Sequence, residues 1–301
     1  MLFLVWRMQA QGEIFDTIME QVSAEPKELI AIVGPTCTGK TDLAIKLAKE
    51  LDVEIINADS RLIFSEMNIG TAKPSDAELA EVKHHLVNIK SPDVRYSAAQ
   101  YQRDFDQVYM SLAQGAGSKQ PRAIVVGGTG LYLKTALENL NLPPVGSDPE
   151  LREELKEKLN TQGLKTLVDE LLEMDPEASG LVDLKNHVRV IRALETVILS
   201  GKKLNELRRK FESNRYDVSY FGLNYENRRD LYDLINKRVV IMSRRGLVHE
   251  VEALFEKYGA TDTLMGTIGY GEIYEYLQGD GSLSAALRKI QKVLAVMPRS
   301  R

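Results

Sequence analysis

The 301-residue sequence contains one cysteine, Cys37, and no long apolar run. A single cysteine cannot form a disulfide within the chain, which is typical of a protein from a reducing compartment. No stretch approaches the roughly 18 consecutive apolar residues of a membrane-spanning helix. The apolar start, residues 1–6, has no basic lead and no small-residue cleavage site, which argues against a signal peptide. We therefore expect a cytoplasmic protein that does not bind a membrane.

Glycine and proline are also sparse, with 21 and 10 residues, which excludes collagen-like and low-complexity chains. Hydrophobic residues make up 44% and charged residues 27% of the sequence, a balance that excludes disorder and indicates a globular protein. A chain of this length folds as one large domain or two ordinary ones, and it needs no metal or disulfide for stability.

The net charge of −4 argues against nucleic acid as a partner, but the charge is unevenly distributed. Residues 185–245 contain 15 Lys and Arg against 7 Asp and Glu, a local +8, so the other residues carry −12. This segment is either a basic surface for a polyanion or a solvated helical face, and the charge run alone favours the second.

Short apolar runs and helical patterns alternate in the first half of the chain. Residues 29–33, 53–57 and 123–126 are typical of buried strands, whereas 41–51 repeats apolar residues at helical spacing. Strand, helix and strand in this order predict a parallel sheet with crossover helices.

The run between the first strand and the first helix matches the phosphate-binding pattern G-x-x-x-x-G-K-[ST]. Its members are Gly34, Pro35, Thr36, Cys37, Thr38, Gly39, Lys40 and Thr41. Backbone N–H groups and the helix N-terminus can surround phosphate oxygens there. Lys40 adds a positive charge, and Thr41 adds a hydroxyl for a metal ion or a phosphate oxygen. The run indicates a diphosphate or triphosphate site, and an ordinary structural turn is the disfavoured alternative.

The second half of the chain is predicted to be helical, after a boundary near 141–144. The amphipathic segments are 149–159, 186–199 with Gly201 as its stop, 229–242 and 247–258. The fold class is therefore α/β, a P-loop NTPase-like parallel sheet core with a mostly helical insertion domain. We predict four parts: an irregular N-terminal extension (1–27), the first part of the core (28–140), the helical insertion (141–200) and a helical return to the core (201–301).

Asp59 is the acidic residue best placed to act at the phosphate. A kinase or nucleotidase usually holds Mg²⁺ with an acidic residue after a second core strand. The strand at 123–126 ends in two glycines and Thr129, so only Asp59, after the strand at 53–57, is suitable. It is a metal-holding carboxylate, a general base that faces the phosphate, or a turn cap with Ser60. The residues alone leave these three roles open.

Two runs, 57–64 (NADSRLIF) and 67–74 (MNIGTAKP), are far more specific than the phosphate-binding run. Further runs are 84–86 (HHL), 96–99 (YSAA), 127–132 (GGTGLY), 189–195 (RVIRALE) and 268–270 (IGY). In this order they resemble the tRNA dimethylallyltransferase family, also called the tRNA isopentenyltransferase or IPP transferase family. The resemblance covers about residues 28–288.

The resemblance implies transfer of a dimethylallyl group from dimethylallyl diphosphate to N6 of the adenosine next to a tRNA anticodon, with release of diphosphate. The implied partners are the tRNA anticodon stem-loop and dimethylallyl diphosphate, with Mg²⁺ as cofactor, and we expect a monomer. The alternatives are a P-loop small-molecule kinase or NTPase, an adenylate isopentenyltransferase, and a nucleotide-dependent switch or RNA-binding module without chemistry.

Catalytic roles carry over to four positions. Asp59 matches the family's base, and Arg238 matches its catalytic arginine. Lys40 and Thr41 are donors that would stabilise charge on the leaving diphosphate, and Thr41 is also the expected Mg²⁺ ligand. A guanidinium suits a bidentate phosphate contact better than the neighbouring Lys237 would.

RNA contacts are implied for a second set of residues. These are Asp59, Ser60, Arg61, Leu62, Thr129, Arg152, Arg189 and Arg192. Arg189 and Arg192 share a helical face, and ion pairing with Glu195 explains that pair equally well. Tyr132 and Tyr270 would stack on bases, although core packing is the commoner role.

Other features set limits on the resemblance. Four scattered histidines and one cysteine form no metal-ligand cluster, so no zinc is expected. Gly266 and Gly271 stand where family members carry polar or basic residues. Residues 289–301 lack the basic helix with an Arg-Gln-x-Thr-Trp run of family members. We interpret this atypical tail as truncated or frame-altered and expect it to affect tRNA affinity, not the phosphate-binding run.

Overall fold

The strands predicted from the sequence join one parallel sheet in the computed structural model of the chain. The structure describes residues 3–7, 11–115, 123–138, 146, 148–207, 215–225 and 227–296. The boundary predicted near 141–144 and the end of the atypical tail, 297–301, lie outside these ranges. Within the ranges, no helix is both long enough and apolar enough to cross a membrane.

The described residues form six strands, fourteen α-helices and one 3₁₀ helix at Pro176–Gly180. The strands are β1 (Phe3–Arg7), β2 (Leu29–Val33), β3 (Glu54–Asn57), β4 (His84–His85), β5 (Ala123–Gly127) and β6 (Val218–Asn224). The helices are α1 (Gln11–Ala24), α2 (Lys40–Leu51), α3 (Asp76–Glu81), α4 (Ala98–Gly115), α5 (Gly130–Leu137), α6 (Pro149–Gln162), α7 (Leu164–Met174), α8 (His187–Ser200), α9 (Leu204–Leu207), α10 (Arg228–Arg244), α11 (Leu247–Tyr258), α12 (Asp262–Met265), α13 (Tyr270–Leu277) and α14 (Leu283–Val296).

The sheet has the strand order β1-β6-β2-β5-β3-β4, and all neighbouring strands are parallel. The central strand β2 pairs with β5 on one side and with β6 on the other, Leu29 lying opposite Ala123 and Val218. In a parallel sheet the carboxyl ends of the strands share one edge. The loops after β2, β3 and β5 therefore meet at that edge, and they carry the phosphate-binding run, Asp59 and Thr129.

Successive residues of β2 face opposite sides of the sheet and belong to two different apolar clusters. Ile30 and Ile32 pack in the cluster that includes α1 and α2. Leu29, Ala31 and Val33 pack in the larger cluster on the other side. All five are buried, which confirms the buried strand predicted from the apolar run.

The N-terminal segment is not the irregular extension expected over 1–27. Residues 3–7 form the edge strand β1, which pairs with β6, and Gln11–Ala24 forms α1. The buried apolar residues of α1 are Ile14, Ile18 and Val22. Their i, i+4, i+8 spacing is an amphipathic helical pattern. The polar residues between them obscure that pattern in the sequence, so the segment was wrongly interpreted as irregular.

The predicted helical return over 201–301 contains a strand, β6, that lies between β1 and β2. Ser219 and Gly222 interrupt the apolar run of this strand, so the run does not stand out in the sequence. The end of β6 packs tightly on the start of the phosphate-binding run. A Cβ at Gly34 would lie 2.4 Å from the carbonyl oxygen of Leu223, so only glycine fits there.

The chain divides into two compact units, Met1–Glu138 with Asn214–Arg301, and Asn139–Ser213. The second unit has its own apolar core, formed by α6, α7, α8 and the 3₁₀ helix. The second unit extends beyond residue 200, the predicted end of the helical insertion, because α9 is hydrogen-bonded to this core. The N–H of Leu204 donates to the buried carboxylate of Asp175 at 2.8 Å.

Gly127, the last residue of β5, packs directly on the turn after β3. A Cβ at Gly127 would lie 2.2 Å from the carbonyl carbon of Ala58, whereas a Cβ at Gly128 would have no atom nearer than 3.4 Å. We expect Gly127→Ala to lower the free energy of unfolding by about 1–3 kcal/mol. Gly128→Ala is the matched control and is expected to change it far less. Urea denaturation measures both, and equal stabilities would contradict this packing.

Candidate active site

The phosphate-binding run forms the turn between β2 and α2. Cys37 and Gly39 have positive φ angles of 66° and 71°, so the backbone turns sharply just before α2 begins at Lys40. The helix start carries no side-chain cap because Gly39 precedes it. The N–H groups of the first turn are therefore not used by a capping side chain, and they form the kind of helix N-terminus that binds anions.

Lys40 crosses this loop, and its Nζ donates to the carbonyl oxygen of Pro35. Burial lowers the pKa of Lys40 to about 8, an effect that the Asp59 carboxylate opposes and the Arg238 guanidinium adds to. Three residues from distant parts of the sequence therefore interact electrostatically around one loop. An anion bound there would favour the charged form of Lys40 and raise its pKa.

The lowered pKa of Lys40 predicts a pH dependence of anion binding. Lys40 is charged below a pH of about 8 and neutral above it. We therefore expect the affinity for inorganic pyrophosphate to fall by about tenfold as pH rises through this range, since a charge-assisted hydrogen bond is lost. Calorimetric titrations of the wild type and of Lys40→Met measure this affinity at each pH. Changes in the protonation of pyrophosphate itself affect both proteins equally. Parallel profiles of the two proteins would contradict the prediction.

Arg238 reaches the phosphate-binding run from α10. Its Nη1 donates to Thr36 Oγ1 at 2.7 Å and lies 3.6 Å from the Cys37 sulfur, while its Nη2 donates to the carbonyl oxygen of Thr71 at 3.2 Å. The neighbouring Lys237 is exposed. The structure thus places Arg238 at the loop, where the Thr71 carbonyl also holds it, and its catalytic role stays a prediction.

Asp59 follows β3 in a turn held by its neighbours. Its Oδ1 accepts the backbone N–H of Arg61 at 2.9 Å, and its own N–H donates to Asn57 Oδ1 at 2.8 Å. The Asn57 amide also donates to the carbonyl oxygen of Leu86, so this turn is anchored in the core. The turn-cap role is therefore present in the structure, and it uses one carboxylate oxygen. The same carboxylate also interacts electrostatically with Lys40, since it opposes the lowering of the Lys40 pKa.

Ser60 and Thr129 lie against each other between the loops that follow β3 and β5. Thr129 Oγ1 accepts the Ser60 N–H at 2.9 Å and donates to Ser60 Oγ at 3.2 Å, and the Thr129 N–H donates to the Ala58 carbonyl oxygen at 3.2 Å. Leu62, two residues after Ser60, is half-buried, and its carbonyl oxygen accepts the Asn88 N–H. The structure brings Ser60 and Thr129 together beside Asp59, and their RNA contacts stay a prediction.

Arg61 connects this edge of the sheet with the C-terminal helices. Its Nη2 donates to the carbonyl oxygen of Gly266 at 3.0 Å. Burial lowers the pKa of Arg61, and Asp59 and Tyr132 oppose this effect. Gly266 is one of the positions that depart from the family. A Cβ there would lie 2.8 Å from the carbonyl oxygen of Asp262, so the loop as folded requires glycine.

Tyr132 and Tyr270 belong to the core, the commoner role of such residues, and the less favoured alternative of base stacking does not hold. Tyr132 is 5% exposed and stacks on Tyr101 with ring centroids 4.0 Å apart. Tyr270 is fully buried, and its hydroxyl donates to Glu250 Oε1 at 2.6 Å. Both rings are already covered by other parts of the protein, so neither has a face on which a base can stack.

Two of the three arginines assigned to RNA contact in the second unit bind a buried carboxylate, Glu195. Arg152 Nη2 and Arg192 Nη1 donate to Glu195 Oε2 at 2.6 and 2.7 Å. Burial raises the pKa of Glu195, but these hydrogen bonds outweigh it and hold the pKa below its usual value. The ion-pairing alternative therefore holds for Arg192 and extends to Arg152, whereas Arg189 is exposed. Their RNA contacts stay a prediction.

Two further residues support the site and were missed by the sequence analysis. Asn57 fixes the Asp59 turn, and its place directly before Ala58 and Asp59 was the available signal. Glu250 accepts N–H groups from the loop that carries Thr71. Nothing near Glu250 in the sequence signals that contact, since the two segments are about 180 residues apart.

The oxygen ligands at this edge suit Mg²⁺ bound together with a phosphate. No group of three His, Cys, Asp or Glu side chains in the described part of the chain forms a metal cage. Mg²⁺ does not need one, because it is commonly held by one or two carboxylates and by substrate phosphates. Thr41, the second residue of α2, places a hydroxyl in the phosphate-binding run, which is the usual protein ligand of Mg²⁺ in this type of loop.

Comparisons with known proteins agree with the geometry. The IPP transferase family model matches residues 62–295. The tRNA dimethylallyltransferase of Geobacter sulfurreducens is 40% identical over 268 residues, which cover 88% of this chain and 84% of that protein. The full-length tRNA isopentenylpyrophosphate transferase of Bacillus halodurans, a crystal structure, has a TM-score of 0.62 and 34% identity, over 89% of this chain and 83% of that one.

A crystal structure of a eukaryotic dimethylallyltransferase acting on tRNA has a TM-score of 0.72 at 24% identity, over 89% of this chain and 67% of that one, and it supports the fold alone. The fold class predicted from the sequence, a P-loop NTPase-like α/β core, is confirmed by these structures. The family match covers most of the residues that carry the resemblance. The chain therefore belongs to the IPP transferase family.

Proposed function

We propose that this protein transfers a dimethylallyl group from dimethylallyl diphosphate to N6 of the adenosine beside a tRNA anticodon. The observation that carries the proposal is that Lys40 and Arg238 both bind the phosphate-binding run, while Asp59 interacts electrostatically with Lys40. Two cations next to a helix N-terminus suit a diphosphate, and a carboxylate beside them suits the removal of a proton. Relatives named tRNA dimethylallyltransferase, such as that of Geobacter sulfurreducens, support the same reaction.

The phosphate-binding run accounts for the departure of diphosphate. As the bond between C1 of the dimethylallyl group and the bridging oxygen breaks, its electron pair leaves with the diphosphate. Lys40, Arg238 and the first N–H groups of α2 are donors already in place around this loop. Donors fixed in advance lower the barrier because they interact most strongly with the charge that develops in the transition state.

Asp59 accounts for the activation of the amine. The adenine N6 forms the new bond to C1 and must lose a proton, because the attacking amine becomes positively charged. In this proposal, the carboxylate of Asp59 takes that proton. The hydrogen bond from the Arg61 N–H fixes the orientation of the carboxylate and occupies only one of its oxygens.

Mg²⁺ is part of the proposal, with Thr41 as the residue that would hold it. When bound, the ion neutralises charge on the diphosphate. The RNA contacts assigned to Ser60, Arg61, Leu62 and Thr129, and to Arg152, Arg189 and Arg192 of the second unit, also belong to the proposal. So do a monomeric state and a cytoplasmic location.

The test is to incubate the protein with labelled dimethylallyl diphosphate, Mg²⁺ and unmodified tRNA. The expected result is label at N6 of the adenosine next to the anticodon, with release of one diphosphate per transfer. Turnover of ATP without transfer to RNA would instead identify a kinase or NTPase. Transfer to free AMP and not to tRNA would identify an adenylate isopentenyltransferase. RNA binding without any of these reactions would identify an RNA-binding module without chemistry.

A further inference from the structure

The carboxylate of Glu250, on α11, binds a loop far from it in sequence. Its Oε1 accepts the N–H groups of Ile69 and Gly70 at 2.9 and 3.0 Å, and its Oε2 accepts those of Asn68 and Ile69 at 3.0 and 2.8 Å. Three consecutive backbone N–H groups therefore point to one side chain. Such hydrogen bonds to a carboxylate are stronger than those between neutral groups.

Glu250 is itself held by Tyr270, which is fully buried. The hydroxyl of Tyr270 donates to Glu250 Oε1 at 2.6 Å. The Tyr270 ring lies so close to the loop that a Cβ at Gly70 would be 2.3 Å from the ring. Tyr270, Glu250 and residues 68–70 therefore form one packed unit, and glycine at position 70 is what allows the ring to approach.

The far end of the same loop is anchored by a buried lysine, Lys73. Its Nζ donates to the carbonyl oxygen of Phe64 at 2.7 Å and to the side-chain oxygen of Asn88. Burial lowers the pKa of Lys73 to about 8, and the Glu250 carboxylate opposes that effect. The loop is thus fixed by side chains on both sides of Thr71.

Thr71, between these two anchors, contacts the active site. Its carbonyl oxygen accepts Nη2 of Arg238 at 3.2 Å, and Nη1 of the same guanidinium donates to Thr36 Oγ1 in the phosphate-binding run at 2.7 Å. The Thr71 carbonyl oxygen is therefore one of the acceptors that hold the Arg238 guanidinium, and a shift of this carbonyl would shift the guanidinium as well. That carbonyl directly follows the residues that Glu250 binds.

We propose that Glu250 is a positioning residue: by binding the N–H groups of residues 68–70 it places the Thr71 carbonyl that holds the Arg238 guanidinium at the phosphate-binding run. The inference rests on the proposed function only in taking Arg238 as a ligand of the diphosphate. Glu250 itself does not touch the loop that binds phosphate. Its effect on the reaction passes through Arg238.

The test compares Glu250→Gln with Glu252→Gln, an exposed carboxylate on the same helix. Glutamine keeps the size of Glu250 but places an amide donor against backbone donors. We expect exchange of the amide protons of residues 68–70 to become faster and the affinity for inorganic pyrophosphate to fall about tenfold. We expect kcat to fall by a similar factor with KM for tRNA unchanged. Glu252→Gln should match the wild type in all of these.

The decisive measurement is a double-mutant cycle with Arg238→Gln. If Glu250 acts through Arg238, Glu250→Gln weakens pyrophosphate binding about tenfold in the wild type and hardly at all in the Arg238→Gln protein. Additive losses would overturn the proposal, and so would an unchanged affinity in Glu250→Gln. If Glu250→Gln does not fold, Tyr270→Phe removes only the hydroxyl that orients the carboxylate and goes through the same cycle.

These outcomes are separate from those of the proposed function. Pyrophosphate binding and amide exchange need neither tRNA nor transfer. A wild-type protein that transfers no dimethylallyl group would refute the proposed function, and the binding cycle would still decide the role of Glu250. A protein that transfers normally but shows additive losses would refute only the role of Glu250.

Discussion

Asp59→Asn is expected to lower the single-turnover rate of dimethylallyl transfer by about 10²–10⁴, the range for loss of a general base. Inorganic pyrophosphate should bind nearly as well as it does to the wild type, because the donors around the phosphate-binding run are kept. The effect should therefore appear in the rate of the chemical step. Rapid-quench measurements with saturating dimethylallyl diphosphate and tRNA provide the rate, and calorimetry provides the affinity.

Asparagine is the informative replacement because Asp59 has a structural contact that must survive. Its Oδ1 accepts the Arg61 N–H at 2.9 Å, and the amide oxygen of asparagine can accept the same bond. The variant therefore keeps the turn and loses the ability to take a proton. Asp42→Asn, an exposed carboxylate in the first turn of α2, is the matched control. Full activity of Asp59→Asn would show that Asp59 is a turn cap and no more.

Arg238→Gln is expected to lower kcat by about 10²–10³, the usual loss when one preorganised donor to a developing negative charge is removed. Glutamine cannot reproduce the contacts with Thr36 and Thr71 together, and it carries no charge. The affinity for pyrophosphate should fall as well, since Arg238 is a donor to the product. Steady-state kinetics and pyrophosphate titration measure the two effects.

Two further variants show whether activity depends on the planar pair of N–H donors of Arg238 or only on a positive charge at this position. Arg238→Lys keeps the charge and loses the planar pair of donors, so we expect it to recover only a small part of the lost activity. Lys237→Gln removes the exposed neighbouring charge and is expected to leave kcat unchanged. A similar loss in Lys237→Gln and Arg238→Gln would indicate a general effect of positive charge on RNA binding instead.

The part of the fold nearest the site was predictable because its signals are local. The apolar run of β2, the spacing of α2 and the glycines between them lie within about two dozen residues, and strand and helix agree with the prediction to within one residue. β6 and α1 were missed because their burial depends on partners elsewhere in the chain. Ser219 and Gly222 weaken the apolar run of β6, and the polar residues of α1 mask its three buried positions.

The residues of the site also divide into those that local sequence signals predict and those that depend on distant contacts. Lys40 and Thr41 follow from the phosphate-binding pattern, and Asp59 follows from its place after a core strand. Arg238 was identified through the family resemblance alone, since it is one charged residue among several on α10. Glu250 gave no signal because a carboxylate that binds backbone N–H groups 180 residues away leaves no local pattern. Contacts of that kind become visible only when the chain is folded.

The measurement that tests the central claim most directly is the pH dependence of single-turnover transfer in the wild type and in Asp59→Asn. A carboxylate must be ionised to accept the adenine proton, so the wild-type rate should fall as the solution is made acidic. The Asp59→Asn protein should be slow and should show no such fall. The same acid limb in both proteins would contradict the assignment of Asp59 as the group that takes the proton.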